Sequence, residues 1–296
     1  MTERDVPTAR PARPWPLIGL LFGILGMGCS AIFVRWAGAP GAVSGFYRMA
    51  LAVVVFGLPF AVSVRHQPVR SRRAKWMAVL AGLCFAADLS LWNQSVLMTS
   101  AANATFLGNT APLWVGLATW LLLKQPLKRG YWIGLAVALG GAFVLVAGDF
   151  SLGGQAGLGG LFSLIAGVFY AGYFLATQQA RVGMSALTSW WLSALASLTA
   201  LLAVALVFGQ SLVGYAPQTY VWMLAVGLFT QIGGYLLVNY ALGHLPASIV
   251  SIVLLLQPIV TLALAVPLLG EYPDSQQVVG GVLLLLGVWI VNRYGH

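Results

Sequence analysis

Charged residues are scarce in this sequence. Only 7% of its 296 residues are Asp, Glu, Lys or Arg, whereas soluble globular proteins carry roughly 25%. Hydrophobic residues make up 60%. A water-facing surface cannot be built from so few charges, so most of the exterior must face lipid. The composition therefore excludes an ordinary soluble domain and predicts an integral membrane protein.

Cysteine and histidine are also rare. Cys29 and Cys84 fall inside apolar runs and are interpreted as small buried hydrophobic residues. His66, His244 and His296 fall in predicted loops or at the terminus. The sequence has no Cys/His spacing typical of a metal site, no nucleophile motif and no phosphate-binding loop. We therefore expect no metal, no cofactor and no ATP use, and an intramembrane enzyme is disfavoured.

Long apolar runs, in contrast, are abundant. Ten of them reach about the 20 residues that a helix needs to cross a bilayer. They lie near 15–34, 41–64, 76–97, 101–123, 130–147, 157–179, 186–208, 218–241, 247–269 and 276–292. The gaps between them are short and carry the Pro and Gly residues expected at turns. Because backbone groups in hydrocarbon must pair internally, the sequence predicts an all-α membrane protein of ten transmembrane helices.

The basic residues occupy alternate gaps between these runs. If the N-terminus lies inside, thirteen Lys and Arg residues fall in the inner segments and only Arg35 in the outer ones. The thirteen are Arg4, Arg10, Arg13, Arg65, Arg70, Arg72, Arg73, Lys75, Lys124, Lys128, Arg129, Arg181 and Arg293. The positive-inside rule then predicts cytoplasmic termini in the cell inner membrane. No continuous basic patch interleaved with aromatics supports nucleic-acid binding, despite the net charge of +9.

The second half of the chain repeats the first at an offset of 146 residues. The matched pairs are Asn93 with Asn239, Pro112 with Pro258, Gly134 with Gly280, and Gly141 with Gly287. The two halves, 1–148 and 149–296, each hold five predicted helices, and an odd number inverts one half relative to the other. Many secondary transporters are built from inverted repeats around a central site. A carrier is therefore predicted, and a duplicated scaffold without transport is the alternative.

Several short motifs point to one family. In the second half they are Asn239-Tyr240-Ala241-Leu242, Pro246-Ala247-Ser248, Leu255-Leu256-Gln257-Pro258-Ile259 and Leu268-Leu269-Gly270-Glu271. In the first half they are Phe46-Tyr47-Arg48-Met49-Ala50 and Asn103-Ala104 through to Pro112. These motifs resemble the EamA repeats of the drug/metabolite transporter superfamily. The first repeat departs from the pattern, because Lys124-Gln125 stands where the family often has Gly-Glu.

The resemblance implies ten helices, alternating access and no use of ATP. The YddG-type exporters of aromatic amino acids are the favoured relatives within the superfamily. The resemblance thus implies an exporter of amino acids, aromatic and other neutral ones, or of related small metabolites. Export of a nucleotide sugar or a cationic drug is the alternative.

Two ionisable side chains fall deep inside predicted spans. Arg48 and Asp88 lie roughly 10 Å and 14 Å from the outer ends of their helices at 1.5 Å per residue. A charge at the bilayer centre costs from about 3 to more than 10 kcal/mol. Either the two side chains neutralise each other, or Arg48 receives a substrate carboxylate and Asp88 an ammonium group or a proton. As the only acid deep in a predicted span, Asp88 is also the expected route for any proton coupling.

Amides, aromatics and prolines complete the predicted site. The full set of substrate-binding or coupling candidates is Arg48, Asp88, Asn93, Asn239, Tyr240, Trp114, Tyr170, Tyr173 and Gln257. The repeat-related pair Asn93 and Asn239 is favoured for lining a cavity, with helix–helix hydrogen bonding as the alternative. Core packing is the alternative for the aromatics. Pro112 and Pro258 are predicted hinges, because proline weakens a helix.

A small-molecule substrate and the lipid bilayer are the expected partners. Ten helices in two repeats can enclose a cavity without a second chain, so we expect a monomer. A passive channel is disfavoured, because the sequence contains nothing that resembles a ring of charges or carbonyls around a pore.

Overall fold

The computed structural model describes residues 15–66, 69, 71–123, 127–245, 250 and 253–294, and in these ranges it contains helices and no strands. The helices are α1 (Trp15–Gly28), α2 (Ser30–Ala37), α3 (Gly41–His66), α4 (Arg72–Met98), α5 (Ala101–Gly108), α6 (Ala111–Leu123), α7 (Arg129–Leu152), α8 (Gly154–Arg181), α9 (Ala186–Val207), α10 (Pro217–Ala225), a π-helical segment (Val226–Tyr235), α11 (Leu236–Leu242), α12 (Leu256–Leu269) and α13 (Ser275–Tyr294). Some residues used above lie outside the described ranges: Arg4, Arg10, Arg13, Arg70, Lys124, Gln125, Pro246, Ala247, Ser248 and His296.

Within the described residues, seven helices are long and apolar enough to cross a membrane. They are Trp15–Ala37, Gly41–His66, Arg72–Met98, Arg129–Ser151, Gly154–Arg181, Ala186–Val207 and Pro217–Leu242. Leu256–Leu269 and Ser275–Val291 are shorter apolar helices, and α5 with α6 covers the predicted fourth span. The chain is therefore a multi-pass membrane protein, and the number ten stays a prediction.

Pro112 and Pro258 each lie shortly after an interruption in a helix. α5 ends before a turn that begins at Asn109, and α12 is preceded by a turn at Leu255. A proline has no N–H to donate to the carbonyl four residues earlier, so a helix is weakest on the N-terminal side of a proline. The two turns are related by the same offset of 146 residues. The repeat therefore carries the same interruption twice, and movement about it stays a prediction.

The last helices of the two halves, α7 and α13, pack at a distance that only glycine allows. A Cβ atom added to Gly134 would lie 2.7 Å from the carbonyl oxygen of Gly287, and one added to Gly141 would lie 2.6 Å from that of Gly280. The repeat aligns Gly134 with Gly280 and Gly141 with Gly287, so each glycine meets the repeat partner of the other. A two-fold axis between the two helices requires this crosswise contact. The repeat found in the sequence is thus visible in the packing.

This interface can be tested with two neighbouring glycines. We expect Gly141→Ala to lower the free energy of unfolding by about 1–3 kcal/mol, the usual cost of overpacking, because its Cβ would lie 2.4 Å from the backbone nitrogen of Leu284. Gly140→Ala is the matched control, because nothing lies within 4 Å of its Cβ position. Thermal unfolding of the detergent-solubilised protein, followed by circular dichroism, compares the two variants. Equal unfolding temperatures would contradict the tight contact.

Small residues also bring the two halves together near the centre of the molecule. A Cβ atom on Gly23 of α1 would lie 3.1 Å from the carbonyl oxygen of Gly234 in the π-helical segment. One on Gly82 of α4 would lie 2.3 Å from the carbonyl oxygen of Ser193 in α9. Helices α2, α4 and α5 of the first half surround a common volume with α8, the π-helical segment and α12 of the second half.

Candidate functional site

A small cavity lies where the two halves meet. Its volume is about 20 Å³, which is room for about one water molecule. It is lined by Ser30, Asp88, Leu89, Trp92, Gly108, Asn109, Tyr170, Tyr235 and Gln257. Ser30 begins α2 directly after the end of α1, and Asn109 and Gln257 lie at the two interruptions near prolines. Interrupted helices are tolerated at membrane depth where they line a cavity or are buried in protein, and this cavity lies beside three such interruptions.

Arg48 of α3 lies beside this cavity and is only 1% exposed. Its Nε donates a hydrogen bond of 2.9 Å to Oε1 of Gln231. Its guanidinium carbon lies 4.8 Å from the ring centre of Tyr235 and 5.6 Å from that of Phe85. A desolvated cation over aromatic faces gains about 2 kcal/mol. The Nη2 atom of Arg48 is buried and has no hydrogen-bond partner, so a donor is available next to the cavity.

Asp88 lies in the wall of the cavity, on α4. It and Arg48 are both within the described part of the chain, and no ion pair joins them there. The guanidinium is held by Gln231 and two aromatic rings instead. The two side chains therefore lie near one cavity at more than ion-pairing distance, although close enough to interact electrostatically.

Aromatic side chains form a continuous cluster around these charges. Phe85 stacks on Tyr173 at 4.6 Å between ring centres and packs against Tyr235 at 4.8 Å. Tyr170 lies 6.2 Å from Tyr235, and both residues line the cavity. On the α4 side the indole of Trp92 donates a hydrogen bond to the carbonyl of Ala104. The cavity thus combines two charges with flat apolar surfaces.

The predicted amide pair Asn93 and Asn239 is placed away from the cavity wall. Asn93 donates a hydrogen bond of 3.0 Å to the carbonyl of Gly41 and thereby joins α4 to the start of α3. Asn239 is fully buried in α11 beside Tyr173. In this structure Asn93 has the role of a helix–helix contact, which was the alternative interpretation.

Two further candidates also lie outside the cavity wall. Trp114 donates a hydrogen bond of 3.1 Å to the hydroxyl of Thr110 within its own helix region. Tyr240 is 37% exposed and packs against His244 with the two ring centres 4.3 Å apart and tilted. Of the nine predicted site residues, Asp88, Tyr170 and Gln257 line the cavity, and Arg48 and Tyr173 belong to the aromatic cluster beside it.

A second polar arrangement, which we call the latch, joins the halves at one end of the bundle. It consists of Arg35, Glu271 and the backbone of Thr99 and Ala101. Nη1 of Arg35 lies 3.2 Å from Oε1 of Glu271, and the two side chains are 30% and 19% exposed. Arg35 also donates a hydrogen bond to the carbonyl of Thr99, and the Ala101 N–H donates to Oε2 of Glu271 at 2.8 Å. The latch therefore ties α2 and α5 of the first half to the loop after α12.

A sequence profile identifies this architecture. The profile of the EamA-like transporter family matches residues 13–147 and matches again at residues 157–293. The chain belongs to the EamA-like transporter family. Its members are transporters, and the double match agrees with the glycine pairs that meet crosswise between α7 and α13.

Solved structures show the fold of this EamA-like transporter. Twenty-seven solved chains match it. One of them, a crystal structure described only as that of a protein, superposes with a TM-score of 0.66 at 16% sequence identity, covering 95% of this chain and 96% of its own. At this identity the likeness shows the fold alone. No curated protein matches the sequence.

Sequence reasoning about this transporter missed several residues around its site. The cavity-lining residues outside the predicted set are Ser30, Leu89, Trp92, Gly108, Asn109 and Tyr235. It also missed Asp149, because the predicted fifth span ended at 147. The structure continues α7 to Leu152 and leaves Asp149 only 1% exposed. Asp149 is therefore a second buried acid, near the end of α7, and the statement that Asp88 is the only acid deep in the membrane stays a prediction.

Proposed function

We propose that this EamA-like transporter exports amino acids, aromatic and other neutral ones, or related small metabolites by alternating access. It would act as a monomer of ten transmembrane helices in the cell inner membrane, with both termini in the cytoplasm. The orientation follows from the distribution of Lys and Arg in the sequence. It puts the latch on the outer side.

One observation carries the proposal: a buried arginine and a buried aspartate flank one cavity at the junction of the halves without pairing. An amino acid presents a carboxylate and an ammonium group a short distance apart. The planar fork of Arg48 suits the carboxylate, and Asp88 in the cavity wall suits the ammonium group. Tyr170 and Tyr235 offer flat faces on which an apolar or aromatic side chain can stack.

The cavity has to widen before it can hold a substrate. Pockets that bind small molecules have volumes of about 300–1,000 Å³, whereas this one has about 20 Å³. We therefore assign the structure to a closed state of the transport cycle. The interruptions near Pro112 and Pro258 are related by the repeat, so bending at one and then the other would open the cavity to opposite sides.

The proposal is tested by a counterflow screen in proteoliposomes loaded with labelled substrate. Neutral aromatic amino acids are expected to drive counterflow, and nucleotide sugars and cationic drugs are not. Phenylalanine is compared with phenethylamine, which lacks the carboxylate, and with 3-phenylpropionate, which lacks the ammonium group. We expect both analogues to compete at least tenfold more weakly than phenylalanine, because each leaves one buried charge unpaired. If the analogues compete as well as phenylalanine, Arg48 and Asp88 do not recognise the substrate.

A further inference from the structure

Asp149 forms a second buried polar site, close to the latch and separate from the cavity. Its Oδ1 accepts a hydrogen bond of 2.7 Å from Nδ2 of Asn103. Its Oδ2 is buried and accepts no hydrogen bond of good geometry, although the Thr99 side chain is near enough to the carboxyl to donate a weak one. Among the described residues no Lys or Arg forms an ion pair with it. An ionised carboxylate held in this way would leave one oxygen desolvated and uncompensated, which is strongly unfavourable.

The Asn103 amide has an unsatisfied oxygen as well. Its Oδ1 is also buried without a hydrogen-bond donor. The two side chains already share one hydrogen bond, and each has one unsatisfied acceptor oxygen. A proton on Oδ2 of Asp149 turns that oxygen into a donor, which a carboxylate can never be. A carboxylic acid and an amide can then satisfy each other through two hydrogen bonds.

We infer that Asp149 is the proton-binding site of this transporter and that Asn103 positions it. A proton from the outer water binds Oδ2 while the latch end is open, stays there as an O–H bond in the closed state, and leaves to the cytoplasmic side when that side opens. The inference rests on the proposed function, because it names the ion that drives the proposed export. It assigns proton coupling to Asp149, beside the latch, and not to Asp88, in the cavity wall.

The surroundings of Asp149 connect its proton to the latch. Asn103 lies in the first turn of α5, where its N–H is capped by the Ser100 hydroxyl at 3.1 Å. The same turn begins at Ala101, whose N–H binds Glu271 of the latch. Loss of the proton would remove the hydrogen bond from Oδ2 to the Asn103 amide, while the bond from Asn103 to Oδ1 remains, and would thereby loosen the start of α5.

Few charged groups face this site. On the α8 side the neighbour is Gly160, which carries no charge. It lies close to Asp149, because a Cβ added to it would lie 2.9 Å from Oδ2. From the loop before α13, Asp274 is an acid that faces Asp149. Arg35 and Glu271 are reached only through the backbone of Thr99 and Ala101. Among the described groups that face Asp149, the charged one is therefore another acid, and no Lys or Arg is ion-paired with Asp149 to hold it ionised.

The test compares substrate accumulation with and without an imposed pH gradient in proteoliposomes. In the unaltered protein a gradient with an acidic interior is expected to raise accumulation at least tenfold, and a Na⁺ gradient is expected to have no effect. In Asp149→Asn the ratio should fall to about one. Asp274→Asn removes a nearby acid that does not bind the transported proton in this proposal, and it should keep the gradient response. A response that survives in Asp149→Asn and is lost in Asp88→Asn would overturn the inference, as would a response to Na⁺ alone.

A spectroscopic measurement tests the same site without transport. Infrared difference spectra of the full-length protein should contain the carbonyl band of a protonated carboxylic acid. We expect Asp149→Asn to remove this band and Asn103→Ala to shift it to higher frequency, because the carbonyl loses a hydrogen bond. Asn103→Ala also serves if Asp149→Asn does not fold. The absence of a pH-titratable band at this site would overturn the inference, whereas failed counterflow by the unaltered protein would overturn the proposed function alone.

Discussion

Arg48→Gln is expected to lower transport about a hundredfold in a protein that still folds. The glutamine can still donate a hydrogen bond to Gln231, which now accepts from Arg48 Nε, but it cannot offer a charged fork to a carboxylate. Removing one partner of a buried charge pair costs about 2–5 kcal/mol, and a hundredfold change corresponds to about 2.8 kcal/mol. Initial rates of counterflow, normalised to the amount of folded protein, measure the effect.

Two control variants separate recognition from general damage. Arg48→Lys keeps the charge but loses the planar fork, so we expect an intermediate loss. Arg181→Gln changes an arginine at the end of α8, which donates to the carbonyl of Met184 within the same half, and should alter the rate less than twofold. If Arg181→Gln is as damaging as Arg48→Gln, the loss does not report on the cavity.

A double variant distinguishes the two roles that the sequence left open for Arg48 and Asp88. If the pair only neutralises itself, Arg48→Met combined with Asp88→Asn should restore folding and part of the transport. Since no ion pair joins these two described residues and Arg48 is held by Gln231, we expect the double variant to transport no better than Arg48→Gln. Substantial recovery would contradict the role in substrate binding.

Features set by backbone chemistry were predictable from the sequence. Pro112 and Pro258 cannot complete a helical hydrogen bond, so weak points near them are expected from the residue type, although Pro59 lies inside the uninterrupted α3. Glycines repeated in one register indicate close helix packing, and Gly134 and Gly141 do lie at such a contact. These predictions depend on local chemistry and on the repeat, both of which can be read along the chain.

Features set by the rotation and length of each helix were not predictable in this way. Whether Asn93 faces a cavity or a neighbouring helix depends on how α4 packs, and its partner turned out to be the carbonyl of Gly41. Asp149 was placed outside its span because a charge next to a glycine is typical of a helix end. Asp149 is tolerated at this buried position because the Asn103 side chain of α5 donates a hydrogen bond to it. Pairing across helices is the information that a single sequence lacks.

Tethering position 35 to position 271 is expected to abolish transport. Alternating access requires the halves to separate at the latch end once in each cycle, and Arg35 and Glu271 meet there at 3.2 Å. The ion pair is partly exposed and worth on the order of 1 kcal/mol, so it can open, whereas a covalent tether cannot. The variant carries Arg35→Cys and Glu271→Cys with Cys29→Ser and Cys84→Ser. A reducible dithiol-reactive reagent as long as the two original side chains joins the new thiols, and counterflow is measured before cross-linking, after it and after reduction.

The deciding comparison is between the transport rate of protein cross-linked across the two halves and that of protein cross-linked within one half. Arg181→Cys with Met184→Cys places two thiols on neighbouring residues of the second half, where Arg181 contacts Met184 in the native protein, so the same reagent should leave transport nearly unchanged. Each single cysteine variant, treated alike, shows the effect of the reagent itself. Transport that persists at full rate in protein cross-linked between positions 35 and 271 would mean that the latch end need not open. The cavity would then have to reach water by another route, and the latch would be a static contact of the fold.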